Sequence, residues 1–238
     1  AARHYKLPLS TFEQQLSRLA AVLDSAPLTS MDAALASGTR MPFVFTVDDG
    51  GVSYYTRVAE RLEARGWRGH CFMTTGWIGR QGFLDAAKLR ELHARGHIIG
   101  SHSVSHPRRF AACSWNEMLR EWSESRRTLQ DILGADVTSA SVPGGHFSAR
   151  VAHAAGAVGL TTLFTSEPET RVRAIGGCRV FGRYTLRHGA AADLPARLAR
   201  GELPVLYSEW AAWNAKKALK AVLGGSYPRL ARFAQSRK

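Results

Sequence analysis

The sequence predicts an α/β protein with a parallel sheet that is most simply closed into a barrel. Strand and helix signals alternate along most of the 238 residues, as expected when each strand is followed by a crossover helix. A hydrophobic content of 45% in a chain of this length suits one domain of barrel size. Polar residues follow two predicted strands, at the edge where barrel active sites gather. We therefore expect one domain with a site at the carboxyl ends of its strands.

The elements follow one another in a regular order. A capping box at Ser10–Glu13 predicts an amphipathic first helix, and a second one at Ser114–Glu117 opens a long helix that ends at Leu133. Residues 25–40 form a loop-rich approach to the first strand. Strands are predicted at 43–47, 69–75, 97–101, 140–143, 161–164 and 180–187, and further helices at 54–65, 85–95 and 148–157.

Acidic and imidazole side chains stand directly after two of these strands. Asp48 and Asp49 follow the first, and His102 and His106 follow the third. The histidines are four residues apart, so one helical turn would bring both rings to the same side. Adjacent carboxylates on an extended chain point to different sides, so one can bind a metal ion while the other reaches the substrate. Two carboxylates and two imidazoles in this arrangement are typical of a metal-assisted hydrolase.

A second histidine pair with the same spacing provides a contrast. His93 and His97 lie where a predicted helix runs into the strand at 97–101. In a barrel this is the opposite edge from the expected site, the edge associated with stability. We predict that both residues are structural.

Three motifs resemble those of polysaccharide deacetylases with the NodB-homology fold, carbohydrate esterase family 4. Residues 46–50, Thr-Val-Asp-Asp-Gly, resemble the T-F-D-D-G signature, and residues 102–106 resemble H-[ST]-x-x-H. Residues 141–145, Ser-Val-Pro-Gly-Gly, resemble R-x-P-x-G. The similarity covers about residues 42–188. It implies a distorted (β/α) barrel of about seven parallel strands, here with an extra N-terminal helix and C-terminal helices.

The resemblance also implies roles for individual residues. Asp48 would be the general base, and the backbone N–H of Gly144 would help hold the oxyanion. Asp49, His102 and His106 would bind a divalent metal ion, most simply Zn²⁺. Mixed oxygen and nitrogen ligands suit Co²⁺, Ni²⁺ or Fe²⁺ as well.

The chain departs from the family pattern at three points. Ser141 stands where the family has an Arg that supports the catalytic Asp. The family's Asp-Trp motif has no clear match, and residues 165–168 are the nearest segment by position. His188 follows the last predicted strand, where the family has its catalytic His, but the surrounding residues differ. We predict that His188 is the general acid and that Glu167 orients its ring, with His146 as the alternative acid.

Composition narrows the remaining possibilities. Three widely spaced cysteines form no disulfide framework. No apolar stretch approaches the roughly 20 residues that span a bilayer, and the N-terminus lacks a signal-peptide core. We therefore expect a cytoplasmic protein, although a signal removed ahead of residue 1 would leave no trace. The net charge of +13 comes mostly from scattered arginines, so we expect no nucleic-acid partner.

The chain reads as one domain in three parts. Residues 1–41 form a helical extension, 42–188 the motif-bearing barrel core, and 189–238 a basic helical segment. No acidic residue follows Glu209, so the last part could contact an anionic surface weakly. The sequence pattern gives no prediction of the oligomeric state.

The resemblance implies a metal-dependent hydrolase that removes an acetyl or other N-acyl group from an amino sugar or polysaccharide. The bond cleaved would be a C–N amide bond that is not a peptide bond. Two alternatives stay open. One is a cytosolic small-molecule amidase or imidase on the same fold, since no export signal is visible. The other is a non-catalytic carbohydrate-binding relative, since the supporting Arg and the Asp-Trp motif are missing.

Overall fold

The computed structural model describes residues 7–23, 31 and 43–223. A curled sheet lies at the centre, with strands in the order β1-β2-β3-β4-β5-β7-β6. The strands are β1 Phe45–Val47, β2 Gly69–Met73, β3 Ile98–Ser101, β4 Ser139–Ser141, β5 Thr162–Phe164, β6 Arg173–Ile175 and β7 Cys178–Phe181. The helices are α1 Leu9–Ala20, α2 (a π-helical turn Tyr54–Ala59 continuing as Glu60–Glu63), α3 Ala86–Ala94, α4 Trp115–Leu133, α5 Ala149–Ala157, α6 Leu194–Ala199 and α7 Leu203–Leu223.

Six of the strands pair in parallel, which confirms the predicted fold class. The register places the carboxyl ends of neighbouring strands side by side, with Val47 opposite Cys71 and Met73 opposite Ser101. The sheet is a half-barrel, consistent with the distorted barrel expected. One strand differs from the expectation, because β6 pairs antiparallel with β7 through a tight Gly176-Gly177 turn.

The observed helix ends and strand lengths correct several details of the predicted elements. The prediction of a capping box at Ser10–Glu13 is wrong, because α1 begins after Pro8 without a side-chain cap. The capping box at Ser114–Glu117 is confirmed, with both reciprocal hydrogen bonds present. The strand predicted at 180–187 ends at Phe181, so the following residues leave the sheet. The loop-rich segment predicted at 25–40 lies outside the described residues, apart from Met31.

The core lies on both faces of the curled sheet. Inside the curl, the rings of Phe72, Phe164 and Phe181 pack in series, with centroids 5.3 and 5.6 Å apart. Outside it, Trp122 of α4 packs edge to face on Phe110 and joins α4 to α5 and the sheet. The N-terminal helix α1 packs against α6, and Gln15 donates to the carbonyl of Ala191.

His97 is a buried structural residue, as predicted. Its Nδ1 accepts hydrogen bonds from the Tyr54 hydroxyl (2.7 Å) and the Gly69 N–H (3.2 Å), so its Nε2–H donates to Glu63 at 2.9 Å. Burial lowers the pKa of His97, so the ring is neutral near pH 7. His93 is exposed.

The structure describes all three cysteines, and each is free, as expected. None of the helices within the described residues is both long and apolar enough to cross a membrane. The division of the chain into residues 1–41, 42–188 and 189–238 stays a prediction.

Candidate metal centre

The three residues predicted as metal ligands come together at the carboxyl edge of the sheet. Asp49 follows β1, and His102 and His106 follow β3. Oδ1 of Asp49 lies 3.5 Å from Nε2 of each histidine, and the three ligand atoms lie within 4.8 Å of one another. Atoms that bind one ion at about 2.0–2.2 Å lie about 3–3.5 Å apart. The two 3.5 Å separations therefore fit ligands of a single divalent ion.

The backbone around these ligands is held in an uncommon conformation. Asp49 and His106 have φ angles of +73° and +55°, and Ser103 between the histidines has +65°. Non-glycine residues rarely adopt this region, and they do so where their surroundings enforce it. Next to Asp49, a Cβ added to Gly50 would come 1.9 Å from the Met73 sulfur, so the turn requires glycine there. Tight local packing thus directs the ligands toward one point.

A buried carboxylate holds the loop that carries the two histidines. Glu121 of α4 is 4% exposed. It accepts hydrogen bonds from the N–H groups of Val104 and Ser105, both at 2.9 Å, and from the Ser105 hydroxyl at 2.7 Å. Within the loop, the His106 N–H donates to Ser103 Oγ at 3.1 Å. The loop between the ligands is therefore anchored to a long helix.

The role of Glu121 was not predicted, although the sequence contained a signal for it. Glu121 lies beside Trp122, within the apolar stripe that Met118 and Trp122 predict for this helix. A carboxylate on a buried stripe needs hydrogen-bond partners to offset its lost hydration. Here the loop supplies them.

Both imidazole rings are oriented by a further contact. Nδ1 of His102 lies 2.9 Å from the carbonyl oxygen of Ser141, which can only accept, so Nδ1 carries the proton and Nε2 is left as the metal-binding atom. Burial lowers the pKa of His102, which favours the neutral form that binds metals. The His106 ring stacks on Trp77, with centroids 5.4 Å apart and planes at 22°.

Asp48, the predicted base, has a strong partner in Arg183. The guanidinium donates to both carboxylate oxygens of Asp48 at 2.8 Å. It also donates to the Thr46 hydroxyl at 3.0 Å, the Ser141 hydroxyl at 2.8 Å and the Thr165 carbonyl at 2.9 Å. These bonds use all five N–H donors of an arginine. Arg183 is therefore fixed, and it fixes Asp48.

The charge of Arg183 determines the protonation state of Asp48. Burial by itself raises the pKa of this carboxyl group. The positive charge of Arg183, together with His102 and the hydrogen bonds from Arg183 and Ser141, outweighs that effect and holds the pKa well below its usual range. Asp48 is therefore an anion over the whole neutral range.

Arg183 supplies the supporting charge that the pattern at Ser141 lacks. It follows β7 and reaches across the strand ends to Asp48, whereas Ser141 ends β4 and accepts one of its hydrogen bonds. The local pattern does not predict this role, because residue 183 falls inside the strand expected at 180–187. In the structure β7 ends at Phe181, two residues before Arg183.

The Gly144-Gly145 segment forms a tight turn after β4. Both residues have left-handed backbones, with φ of +63° and +68°. A Cβ added to Gly145 would come 3.2 Å from Ser166 and 3.4 Å from the Trp213 ring of α7. Gly144 is exposed, and its oxyanion role stays a prediction.

The predicted pairing of Glu167 with His188 is not formed. The two carboxylate oxygens of Glu167 bind Arg173 at 2.8 Å and Lys217 at 3.1 Å. In the part of the chain that the structure describes, no hydrogen bond joins Glu167 to His188, which is exposed. The two nearby cations attract the carboxylate more strongly than a neutral imidazole does. The alternative acid, His146, is partly buried directly after the glycine turn.

Solved structures share this fold. The Streptococcus pyogenes deacetylase PplD, solved with acetate, aligns over 82% of this chain and 86% of that chain, with a TM-score of 0.68 and 18% identity. IcaB from Ammonifex degensii aligns over 83% and 93%, with a TM-score of 0.67 and 21% identity. The putative polysaccharide deacetylase BA0330 from Bacillus anthracis aligns over 83% and 63%, with a TM-score of 0.71 and 16% identity.

Sequence comparison identifies the family. The putative polysaccharide deacetylase YheN of Bacillus subtilis is 34% identical over 89 residues, which cover 37% of this chain and 30% of that protein. The match thus spans less than a third of that relative's length. The family model described as polysaccharide deacetylase matches residues 37–163, more than half of the chain. The chain belongs to the polysaccharide deacetylase family.

Proposed function

We propose that this protein is a metal-dependent hydrolase that removes the acetyl group from an N-acetylated sugar of a polysaccharide. The observation that carries the proposal is the arrangement at the carboxyl edge of the sheet. Asp49, His102 and His106 are spaced for one ion, and Asp48 stands beside them as a carboxylate held by Arg183. Such an arrangement suits cleavage of an amide C–N bond.

The metal triad fits a divalent ion through its mixed oxygen and nitrogen donors. Zn²⁺ is the ion we expect, with Co²⁺, Ni²⁺ or Fe²⁺ as alternatives, and the bound ion supplies Lewis acidity that polarises the acetyl carbonyl and acidifies water. His102 presents Nε2 because Ser141 accepts from its Nδ1–H. His106 is held by its stacking on Trp77.

In this proposal Asp48 takes a proton from the attacking water. Each of its oxygens accepts one hydrogen bond from Arg183 and keeps a further lone pair for that proton. The Gly144 N–H donates to the oxygen on which negative charge develops, since the exposed glycine turn lets a substrate approach its backbone. The leaving amine then needs a proton, for which His146 and His188 are the candidates.

The same arrangement argues against a non-catalytic relative. A protein that only binds carbohydrate has no need for three metal-binding side chains together with a hydrogen-bonded base. Here the ligands, the base and the charge that supports the base are all present, although that charge comes from Arg183 instead of position 141.

A pair of variants tests the proposal. The protein loaded with Zn²⁺ or Co²⁺ should release acetate from oligomers of N-acetylated amino sugars, with cyclic amides as the comparison substrates. Asp48→Asn should abolish turnover while bound metal stays nearly stoichiometric, whereas His106→Ala should lose metal. Hydrolysis of cyclic amides alone would replace the glycan assignment with that of a small-molecule amidase. Loss of metal in Asp48→Asn would show that Asp48 is a ligand.

A further inference from the structure

Helix α7 exposes an unusual amount of apolar surface along one flank. Leu203, Tyr207 and Trp210 are 76%, 68% and 47% exposed. The rings of Tyr207 and Trp210 stack, with centroids 5.7 Å apart and planes at 29°. Large apolar side chains in one exposed row mark a ligand groove or an interaction surface more often than an ordinary surface.

This flank forms one wall of a cleft of about 400 Å³, which we call the α7 cleft. Its size is that of a small-molecule or sugar-unit site. The opposite wall is the segment that follows β5, and Tyr184 closes one side. Its charged lining residues are one acid, Glu169, and one base, Arg171, so the cleft favours neither anions nor cations. Glu169 is already paired with Arg173 at 2.8 Å.

Neighbouring residues connect the surroundings of the α7 cleft with those of the metal centre. Further along the same helix, the Trp213 ring lies against Gly145, next to the Gly144 turn, and Lys217 binds Glu167. On the other side, Tyr184 directly follows Arg183, the partner of Asp48. From Trp213 back to Leu203 the helix spans about 15 Å, at about 1.5 Å per residue. The aromatic row therefore leads away from the reaction site.

We propose that the α7 cleft binds a neutral sugar unit of the glycan chain that flanks the reactive N-acetylated sugar. This inference rests on the proposed function, because it assigns the second contact of the same substrate. The flat faces of Tyr207 and Trp210 pack against the apolar face of a pyranose ring, and the polar lining meets its hydroxyl groups. A glycan chain bound at the metal centre would extend along α7 into the cleft.

The charges around the cleft support a neutral occupant. An anionic lipid surface would need free basic groups beside the aromatic row. Lys217, at the end of this row, is instead paired with Glu167 at 3.1 Å. Arg171 is the single basic residue of the lining, and Glu169 is the single acidic one.

The test compares a long with a short substrate. A double variant, Tyr207→Ala with Trp210→Ala, should lower kcat/KM for a hexamer of N-acetylglucosamine by at least about tenfold, which corresponds to about 1.4 kcal/mol. The value for the monomer should stay within about twofold. Trp115→Ala removes another exposed indole, 38% exposed on α4, and should change neither value. Leucine at both positions keeps apolar contacts but removes the rings, and should reproduce the loss if folding of the alanine variant suffers.

Calorimetry on the metal-free protein separates this proposal from the proposed function. We expect both β-1,4- and β-1,6-linked hexamers to be tried, and at least one to bind the wild type and the Trp115→Ala variant but not the double variant. That result supports the cleft even if no acetate is released. Equal hexamer binding by the wild type and the double variant, or binding of neither hexamer, would overturn it. The proposal would also be overturned if the double variant kept normal kinetics on the hexamer and lost only its binding to anionic phospholipid vesicles or only its self-association.

Discussion

Replacing Arg183 by lysine keeps a positive charge beside Asp48 but removes the planar fork that holds it. Lysine has three donors on one nitrogen, so it cannot bond both Asp48 oxygens together with Thr165 and Ser141. The pair is largely shielded, with side-chain exposures of 13% for Arg183 and 30% for Asp48. The lost charged hydrogen bonds should cost about 2–4 kcal/mol of unfolding free energy, a range about 1 kcal/mol lower than the roughly 3–5 kcal/mol typical of fully buried pairs.

The effect on turnover should be larger than the effect on metal binding. A base displaced by about 1 Å costs on the order of 10²-fold in rate, so we expect kcat of Arg183→Lys to fall by about that factor. The five hydrogen bonds of Arg183 all go to residues other than the metal ligands, so bound metal should stay near stoichiometric. Acetate release, elemental analysis and urea unfolding measure the three quantities. Arg183→Ala should respond to added guanidinium by regaining part of its activity.

A relocated arginine provides the matched control. The Ser141 hydroxyl accepts from Arg183, so an arginine at position 141 can approach Asp48 from the end of β4. The double variant Ser141→Arg with Arg183→Ser should recover at least about tenfold in kcat over Arg183→Ser alone. If folded Arg183→Lys and Arg183→Ala both kept near-normal kcat, the reasoning that Arg183 positions the base would be refuted.

Four further outcomes are expected. Glu121→Gln should raise the rate of metal loss to a chelator and alter the visible spectrum of the Co²⁺-loaded protein, because a neutral amide holds the histidine loop more weakly. An unchanged rate of metal loss would contradict this. Gly144→Pro should cost on the order of 10²–10³ in turnover by removing a donor, and near-normal turnover of the folded variant would reduce this segment to a turn. His146→Ala should flatten the alkaline limb of the pH–rate profile more than His188→Ala, since His188 lacks the predicted Glu167 contact; the reverse order would restore His188 as the acid. Burial lowers the pKa of His97 in the folded state, so its stabilising effect is present above its unfolded pKa near 6.5 and is lost as the pH falls below that value. Between pH 7 and 5 the melting temperature of the wild type should therefore fall further than that of His97→Gln. Equal decreases in melting temperature would contradict this.

The sequence by itself determined the elements and the ligands, because both are encoded over short stretches. Alternating apolar runs and helical stripes predicted six strands and their crossover helices close to their observed bounds, except that the last of these strands ends six residues earlier than predicted. Position after two parallel strands indicated one carboxylate and two imidazoles at one edge of the sheet, and the resemblance to the family's motifs then assigned Asp49, His102 and His106 as ligands. The antiparallel strand β6 was not predicted, because an edge strand of three residues is too short to show a clear alternation of apolar and polar residues.

Only the tertiary structure decided which side chains support these residues. Arg183 meets Asp48 across 135 residues of chain, and Glu121 meets the histidine loop from another element. Glu167 was predicted beside His188 from their order along the chain, yet Arg173 and Lys217 bind it instead. Likewise α7 lays Trp213 against Gly145, which no local pattern indicates. Contacts of this kind depend on the curl of the sheet and on where each strand ends, and these follow from the packing of the whole chain rather than from any short segment of it.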